Sequence, residues 1–309
     1  MTDEVPTRII ANPRAGNGRA KRYAYRVARM LSAHGLGISL HLTARPMDAT
    51  RLAHEATEAG AETILVVGGD GTLNEVVNGL LKDPPRTRAR TALAVAQVGT
   101  GTDFSKTLGW TSNPGELLVR LRRNRRHAID VGLAEFTGLD GKPTSRYFVN
   151  IAEFGSGGAV VEKVNRSTKI LGGKVSFLLA ILAVMPKYRN KRVRYRVDCG
   201  PDAELVANNF VVANGRYFGG GLMPAPHAEL DDGLLDIVVI GDLNFKMIRR
   251  HLPDLRRGTH LSLKEVTSHR GREVLTVSEE RPLLDLDGEL VGYDPTRFVC
   301  LPKALDLLV

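Results

Sequence analysis

Cysteine is scarce in this chain, which has only Cys199 and Cys300 among its 309 residues. The two lie far apart, and neither has another Cys or a His close to it in the sequence. This spacing excludes a local zinc motif and a small fold held together by disulfide bonds. We therefore expect a protein of a reducing compartment, such as the cytoplasm.

Long hydrophobic runs are also absent. The strongest apolar run is VSFLLAILAVM, residues 175–185, which is well short of the ~20 residues that a membrane-spanning helix needs. The first ten residues, MTDEVPTRII, lack the basic start and apolar stretch of a secretory signal. We expect a soluble protein, or one that attaches to membranes only at their surface.

Positive charge is in excess, with a formal net charge of +9 and a pI of about 9.7. This balance favours a polyanionic partner, which could be nucleic acid, an anionic lipid surface or a phosphate-rich ligand. Nucleic acid is the weakest of these, because no binding motif and no mixture of basic and aromatic residues accompanies the charge. Arg192, Arg194 and Arg196 alternate along a predicted strand and would share one face, which is either solvated or turned to anionic lipid.

The first ~130 residues alternate strand-like and helix-like patterns, as in a parallel sheet with crossover helices. Predicted strands cover residues 8–12, 37–44, 63–69 and 91–98. Predicted helices cover residues 20–31, 48–59, 73–81 and 114–123. We predict a doubly wound, Rossmann-like α/β domain over residues 1–130.

From His127 onward, strand-like runs follow one another, among them RYFVNIAEF (146–154) and LVANNFVVAN (205–214). Only three helical stretches interrupt them, near residues 158–170, 172–186 and 244–256. Many strands with few crossovers predict a mainly antiparallel β-sandwich over residues 131–309, with a C-terminal tail that packs back on the first domain.

The sharpest local signal is VVGGDGTLNEVVNGL, residues 66–80. A buried strand ends in a glycine-rich turn around Asp70, and a helix is predicted to begin near Leu73. Glycines allow a ligand to approach the backbone, and a helix N-terminus offers free N–H groups to phosphate. The alternative is a tight turn with Asp70 or Thr72 as the helix cap, but three glycines exceed what a cap requires.

Two further glycine-rich loops follow predicted strands, at residues 12–18 and 99–103. Because ligands of open α/β sheets bind at the carboxyl ends of the strands, three such loops together predict a nucleotide site. Two acidic turns lie in the second half, at residues 231–233 and 287–289. By residue type alone, each is more typical of an exposed turn than of a metal or catalytic site.

Six segments in order along the chain point to a family: NPRAGNG, GGDGTLNEVVNGL, GTGTDF, the turn at residues 130–132, NGRYFGGGLMPAPHAELDDGLLD and LDLDGE. They resemble the diacylglycerol kinase catalytic-domain family, particularly the bacterial lipid kinases, with sphingosine and ceramide kinases as relatives. The resemblance covers almost the whole chain, and its last two segments are absent from other kinases with a GGDG loop. It implies a magnesium- and ATP-dependent lipid kinase of phospholipid metabolism, with an NAD kinase-like fold.

The same resemblance implies which residues act. ATP would contact loop and strand-end residues of the first domain, namely Asn12, Pro13, Arg14, Ala15, Gly16, Thr43, Gly68, Gly69, Asp70, Gly71, Thr72, Leu73, Asn74 and Thr100. The acidic network that organises catalytic Mg²⁺ would comprise Asp70, Asp103 and Asp130. Asp287 and Glu289 would form the general-base pair. A structural Mg²⁺ would take the carboxylate of Asp232 and the carbonyl groups of Glu229 and Leu234.

Two positions depart from the family pattern: Thr102 stands where Asn is usual, and Gln97 stands near a usual Pro. Thr102 keeps a hydroxyl group but loses an amide, which alters a polar contact without implying inactivity. The implied partner is a diacylglycerol-like lipid at the inner membrane face, with anionic lipids and a homodimer as further expectations. An NAD kinase-like enzyme and a non-catalytic regulator that binds nucleotide or lipid remain as alternatives.

Overall fold

A computed structural model describes residues 7–82, 91–99, 102–166 and 173–309 of the chain. The chain divides into two compact units, Met1–Asp130 with Lys303–Val309, and Val131–Pro302. Within the described ranges, no helix is both long enough and apolar enough to cross a membrane.

The first unit is a parallel sheet with helices packed against it. Its strands lie in the order β4-β3-β1-β2, and each neighbouring pair is parallel. The strands are β1 (Thr7–Ala11), β2 (Ile38–Leu42), β3 (Thr63–Gly68) and β4 (Ala92–Gln97). The helices are α1 (Arg19–Ala33), α2 (Asp48–Glu58), α3 (Asp70–Leu80), α4 (Asp103–Thr107) and α5 (Pro114–Arg123). The prediction of an α/β domain is confirmed.

Apolar spacing and capping account for these helices. The buried side of α1 includes Ala20, Ala24, Val27 and Leu31, which recur at helical spacing and pack on the sheet. At the start of α5, the side chain of Asn113 accepts a hydrogen bond from the N–H of Gly115 at 2.8 Å, which caps the helix.

The start of α3 differs from the sequence-based prediction. The helix begins at Asp70 rather than near Leu73, directly after the extended Gly69. The N–H of Leu73 already donates to the carbonyl of Gly69 at 3.1 Å, so Asp70, Gly71 and Thr72 form the first helical turn. The glycine-rich segment is therefore the N-terminus of the helix itself and not a loop before it.

The second unit is mainly antiparallel. Its strands are β5 (Arg126–Gly138), β6 (Pro143–Phe148), β7 (Ile151–Gly155), β8 (Lys191–Val197), β9 (Ala203–Ala207), β10 (Asn209–Ala213), β11 (Leu235–Ile240), β12 (Val266–Gly271), β13 (Glu273–Val277), β14 (Leu283–Leu286) and β15 (Glu289–Leu308). Its helices are α6 (Ser156–Arg166), α7 (Gly173–Val184) and α8 (Phe245–Arg257). β5 begins in the first unit, and β15 ends there, beside β4.

One group of strands runs in the order β12-β11-β10-β7-β14-β15. A second group pairs with β15 directly through β5 and β13, and it continues through β6, β8 and β9. Side chains from both groups meet in one core, which includes Phe136, Phe154, Phe210, Val274 and Phe298. A shared core between two sets of antiparallel strands is the arrangement of a β-sandwich, which confirms the predicted fold class.

Two long runs were predicted as single strands, but in the structure each of them forms two strands. The run 146–154 breaks after Phe148, and the run 205–214 breaks at Asn208. β12 was not predicted, because most of its side chains are exposed or half-exposed and its sequence lacks an apolar pattern.

Candidate functional site

The predicted nucleotide loops meet at the carboxyl edge of the parallel sheet. A Cβ atom added at Gly16, which has a φ of +58°, would lie 3.2 Å from the Cα of Gly99. The loops after β1 and β4 are therefore in contact, and only glycine suits this position. The N–H of Thr43 donates to the carbonyl of Ala11 at 2.9 Å, which brings Thr43 to the same edge. Within the first loop, the side chain of Asn12 accepts a hydrogen bond from the N–H of Arg14.

Asp70 is the centre of a hydrogen-bond network in the first unit. Its Oδ1 accepts from Nε2 of Gln97 at 2.5 Å and from the N–H of Phe104 at 3.3 Å. Its Oδ2 accepts from the N–H of Asp103 at 3.2 Å. The oxygen of the Gln97 side chain accepts from the N–H of Ser105 at 2.8 Å. Gln97 thus joins the β3 and β4 loops.

A second carboxylate lies beside this network. Burial, followed by the charge of Asp103, raises the pKa of Asp70 to about 6. The side chain of Asp103 is itself buried and pairs with Lys106 at 2.5 Å. Two neighbouring carboxylates of this kind would be stabilised by a divalent cation. Asp130 is fully buried and accepts a hydrogen bond from the N–H of Lys303 at 2.7 Å.

The other predicted nucleotide residues have different roles in the fold. A Cβ atom at Gly68 would lie 2.5 Å from Oγ1 of Thr72, so this side chain covers the glycine. Leu73 and Asn74 are buried, and the side chain of Asn78 donates to the carbonyl of Asn74 at 2.9 Å. Thr100 lies outside the described residues.

A polar pocket of about 410 Å³ adjoins these loops in the first unit. Its lining includes Arg19, Gln97, Gly99, Thr102 and Trp110. Polar groups and one cation around an open pocket suit a phosphate-bearing ligand, because both donate hydrogen bonds to anionic oxygen atoms.

In the second unit, Asp287 sits in the two-residue turn between β14 and β15. Asp287 and Gly288 both have positive φ, 52° and 88°, as an Asp-Gly hairpin turn requires. The N–H groups of Asn150 and Ile151 donate to its Oδ1, and that of Val149 donates to its Oδ2, each at 2.9 Å. These three backbone bonds fix the orientation of the Asp287 carboxylate.

Glu289 differs from its predicted partner. Asp287 is buried, whereas Glu289 is the exposed first residue of β15. The turn therefore gives the two carboxylates different environments. One is fixed by the backbone, and the other is open to solvent.

Two buried acids beside this turn were not predicted. Nδ2 of Asn209 donates to Oε2 of Glu153 at 2.6 Å, and the N–H of Gly288 donates to Oδ1 of Asp285 at 2.9 Å. Burial raises the pKa of Glu153 to about 7. Burial also raises the pKa of Asp285 well above its usual range, and the neighbouring Glu153 raises it further. The signal in the sequence was an acid within each of two apolar runs, IAEF and LLDL.

An apolar cavity of about 80 Å³ lies wholly within the second unit. Helices α6, α7 and α8 and strand β11 contribute to its lining. The apolar lining residues include Val160, Ile181, Met185, Leu222, Ile240, Ile248, Leu252 and Leu255. A lining of this kind suits hydrocarbon better than polar groups.

In the loop assigned to a structural metal, the guanidinium group of Arg270 is paired with Asp232. Oδ1 of Asp232 accepts a hydrogen bond from the N–H of Leu234 at 2.9 Å, and its Oδ2 forms an ion pair with Arg270. Arg270 also reaches Asp236, the residue opposite it, at 3.4 Å. Glu229 is exposed, and no group of three His, Cys, Asp or Glu side chains suited to a metal occurs in the described ranges. This arrangement does not fit a divalent ion on Oδ2 of Asp232, and the metal assignment stays a prediction.

Two family models together match nearly the whole chain. Residues 6–134 match the diacylglycerol kinase catalytic domain, and residues 150–309 match the YegS C-terminal NAD kinase beta sandwich-like domain. The chain belongs to this lipid kinase family. It is therefore a kinase, and the resemblance seen in its motifs is confirmed.

Named relatives agree with this membership. A Chromohalobacter salexigens protein named "Probable lipid kinase YegS-like" is 32% identical over 276 residues, which span 88% of this chain and 84% of that protein. The diacylglycerol kinase of Bacillus subtilis is 29% identical over 302 residues, which span 98% of this chain and 95% of that enzyme.

Solved structures share the fold of this lipid kinase. A Bacillus anthracis protein described as a candidate diacylglycerol kinase superposes with a TM-score of 0.77 at 25% identity, covering 100% of this chain and 98% of its own. Yeast NADH kinase, at 10% identity, covers 99% of this chain and 83% of its own with a TM-score of 0.50, which reflects the fold alone.

Proposed function

We propose that this kinase transfers the γ-phosphate of Mg-ATP to a hydroxyl group of diacylglycerol or a related lipid. The observation that carries the proposal is the apolar cavity of the second unit, because acyl chains are the part of such a substrate that an apolar lining binds. Membership in the lipid kinase family supports the same substrate class.

The first unit would bind the nucleotide. The contact between Gly16 and Gly99 and the N-terminus of α3 at Asp70 support phosphate binding at this sheet edge. Asp70 and Asp103 would hold Mg²⁺, because their neighbouring carboxylates fit a divalent cation. Mg²⁺, when bound, neutralises charge on the phosphate oxygen atoms.

The second unit would supply the base for the acceptor hydroxyl. The oriented carboxylate of Asp287 would accept a hydrogen bond from the lipid hydroxyl group and hold its oxygen for attack on phosphorus. The exposed Glu289 would receive the proton or share it with Asp287. Three backbone bonds keep the Asp287 carboxylate in one orientation, which is what precise alignment of an acceptor requires.

Such an enzyme would act in the cytoplasm at the inner face of the membrane, where its substrate lies. A homodimer is the default expectation for its assembly, because two-fold dimers are the commonest oligomers. Analytical ultracentrifugation would give the oligomeric state.

The experiment that tests the proposal offers labelled Mg-ATP to two kinds of acceptor, NAD and a panel of lipids in mixed micelles. We expect label in a lipid class that carries a free hydroxyl group. Label only in NAD would replace the proposal by the NAD kinase-like alternative. ATP binding without label in any acceptor would replace it by the regulator alternative.

A further inference from the structure

Helix α8 has two contrasting faces. Lys246, Arg249, Arg250 and Arg256 are exposed and recur at helical spacing on one side. On the other side, Ile248, Leu252 and Leu255 line the apolar cavity. No residue of α8 is fully buried, so the helix lies at the surface and covers the cavity. Because the apolar side is turned inward, the basic side is the one that α8 presents outside the protein.

Four of the exposed cations of α8, Lys246, Arg249, Arg250 and Arg256, have no acidic partner within the described ranges. Arg257, by contrast, pairs with Asp254 at 2.7 Å. The charge of Lys246, Arg249, Arg250 and Arg256 is therefore available to an external anion.

The arginines of β8 differ in this respect. Arg192 and Arg194 approach the carboxylate of Glu204 at 2.9 and 3.6 Å, and Arg196 lies 3.7 Å from Asp202. Their charge is partly offset by these acids. From the sequence, their exposed, alternating face was expected to be either solvated or turned to anionic lipid. The attraction of β8 for a negative surface is weaker than its arginine content indicates.

Helix α7 adds an apolar component beside the same cavity. Its Leu179 and Leu182 are 48% and 47% exposed, whereas its Ile181 and the following Met185 line the cavity. Stable attachment to a bilayer generally takes two signals, such as an apolar insertion together with basic residues. Here α7 offers the first and α8 the second.

We infer that the exposed face of α8, together with Leu179 and Leu182 of α7, is a docking surface for a bilayer that contains anionic lipids. The inference rests on the proposed function in one respect, which is that the substrate is drawn from a lipid phase into the cavity beneath α8. Each basic residue near an anionic surface raises partitioning about fivefold.

The test compares sedimentation with phosphatidylcholine vesicles and with vesicles that also contain phosphatidylglycerol. The variant K246Q/R249Q/R250Q removes three unpaired charges, and R192Q/R194Q/R196Q removes three paired ones. We expect the α8 variant to lose about 100-fold in partitioning to anionic vesicles, and the β8 variant to lose less than about fivefold. Thermal melts verify that both variants are folded.

Three outcomes would overturn the docking surface. The first is an equal loss of vesicle binding in the two variants, and the second is equal binding of the wild-type protein to neutral and anionic vesicles. The third is a wild-type affinity for duplex DNA that equals its affinity for anionic vesicles at the same salt concentration. The last would indicate general attraction to polyanions. Vesicle binding that depends on α8, without phosphorylation of any lipid, would leave docking intact and contradict the proposed function. Lipid phosphorylation without a preference for anionic vesicles would support the proposed function and contradict the docking surface.

Discussion

Asp285 and Glu153 lie directly opposite each other on the antiparallel strands β14 and β7, and both side chains are almost completely buried. Within the described ranges, Oδ2 of Asp285 has no hydrogen-bond partner. A buried carboxyl oxygen without a donor disfavours the charged form, and a second carboxyl group nearby disfavours it further. At neutral pH the pair is therefore expected to retain a proton. The charges of Glu289 and Asp287 also face Asp285 and raise its pKa in the same direction.

The first prediction concerns the pH dependence of stability. The pKa of Glu153 is raised from 4.5 to about 7, and that of Asp285 is raised in the same direction. Because both acids ionise more easily in the unfolded chain, the free energy of unfolding falls as pH rises from about 4.5 to about 7. The stability of Asp285→Asn relative to the wild-type protein should be about 1–3 kcal/mol greater at pH 8 than at pH 5.

Urea unfolding at the two pH values measures this difference. Glu279→Gln, which removes an exposed acid of the same unit, is the control and should change neither value. An Asp285→Asn effect of the same size at both pH values would contradict the assignment of a shared, protonated pair.

The second prediction concerns the packing of α2 on α3. A Cβ atom at Gly79 would lie 2.3 Å from the carbonyl oxygen of Thr50 and 2.7 Å from Cβ of Ala53. Gly79→Ala should therefore separate the two helices and lower stability by about 2 kcal/mol. Gly115→Ala in α5, where the new Cβ meets only the side chain of Asn113 at 3.2 Å, should be near neutral. Equal melting temperatures for the two variants would contradict the close helix contact.

The third prediction concerns the loop with Asp232. Because Arg270 already balances Asp232 and Asp236, any difference in melting temperature between EDTA and millimolar Mg²⁺ should be the same in the wild-type protein and in Asp232→Asn. Arg270→Met should lower stability by about 1 kcal/mol or less, since the arginine is partly exposed. A Mg²⁺-dependent rise in melting temperature that Asp232→Asn abolishes would instead support a metal at Glu229, Asp232 and Leu234.

The fourth prediction concerns the apolar cavity. Leu252→Trp places a larger side chain among the lining residues and should shorten the acyl chain that the enzyme accepts. We expect the ratio of kcat/KM for a sixteen-carbon to an eight-carbon substrate to fall about tenfold. Leu139→Trp, at a position 56% exposed, is the control. An unchanged ratio in Leu252→Trp would mean that the chain binds elsewhere.

Much of the first unit could be predicted from its sequence, because its elements follow local rules. The bounds of α5, Pro114–Arg123, agree with the prediction, since an Asn cap and a proline mark its start. The start of α3 was misplaced, because the glycines at Gly69 and Gly71 are typical of a loop. In the structure, Gly71 occupies the first turn of the helix instead.

The second unit was harder to predict, because contacts distant in sequence divide its strands. The run 146–154 breaks where Asp287, well over 100 residues later in the chain, accepts the N–H groups of Val149, Asn150 and Ile151. No local pattern carries that information. The pairing of Glu153 with Asp285 depends on strand register in the same way. The residue pattern suggested the Asp-Gly turn, and only the fold shows which of its two acids is buried.

The most direct test of the central claim measures transfer of labelled γ-phosphate from Mg-ATP to a short-chain diacylglycerol by the wild-type, Asp287→Asn, Glu289→Gln and Glu279→Gln proteins. We predict label with the wild-type protein and with Glu279→Gln, at least a 100-fold lower kcat in Asp287→Asn, and a clear loss in Glu289→Gln. Wild-type turnover by Asp287→Asn, or no lipid label with any of the four proteins, would contradict the account.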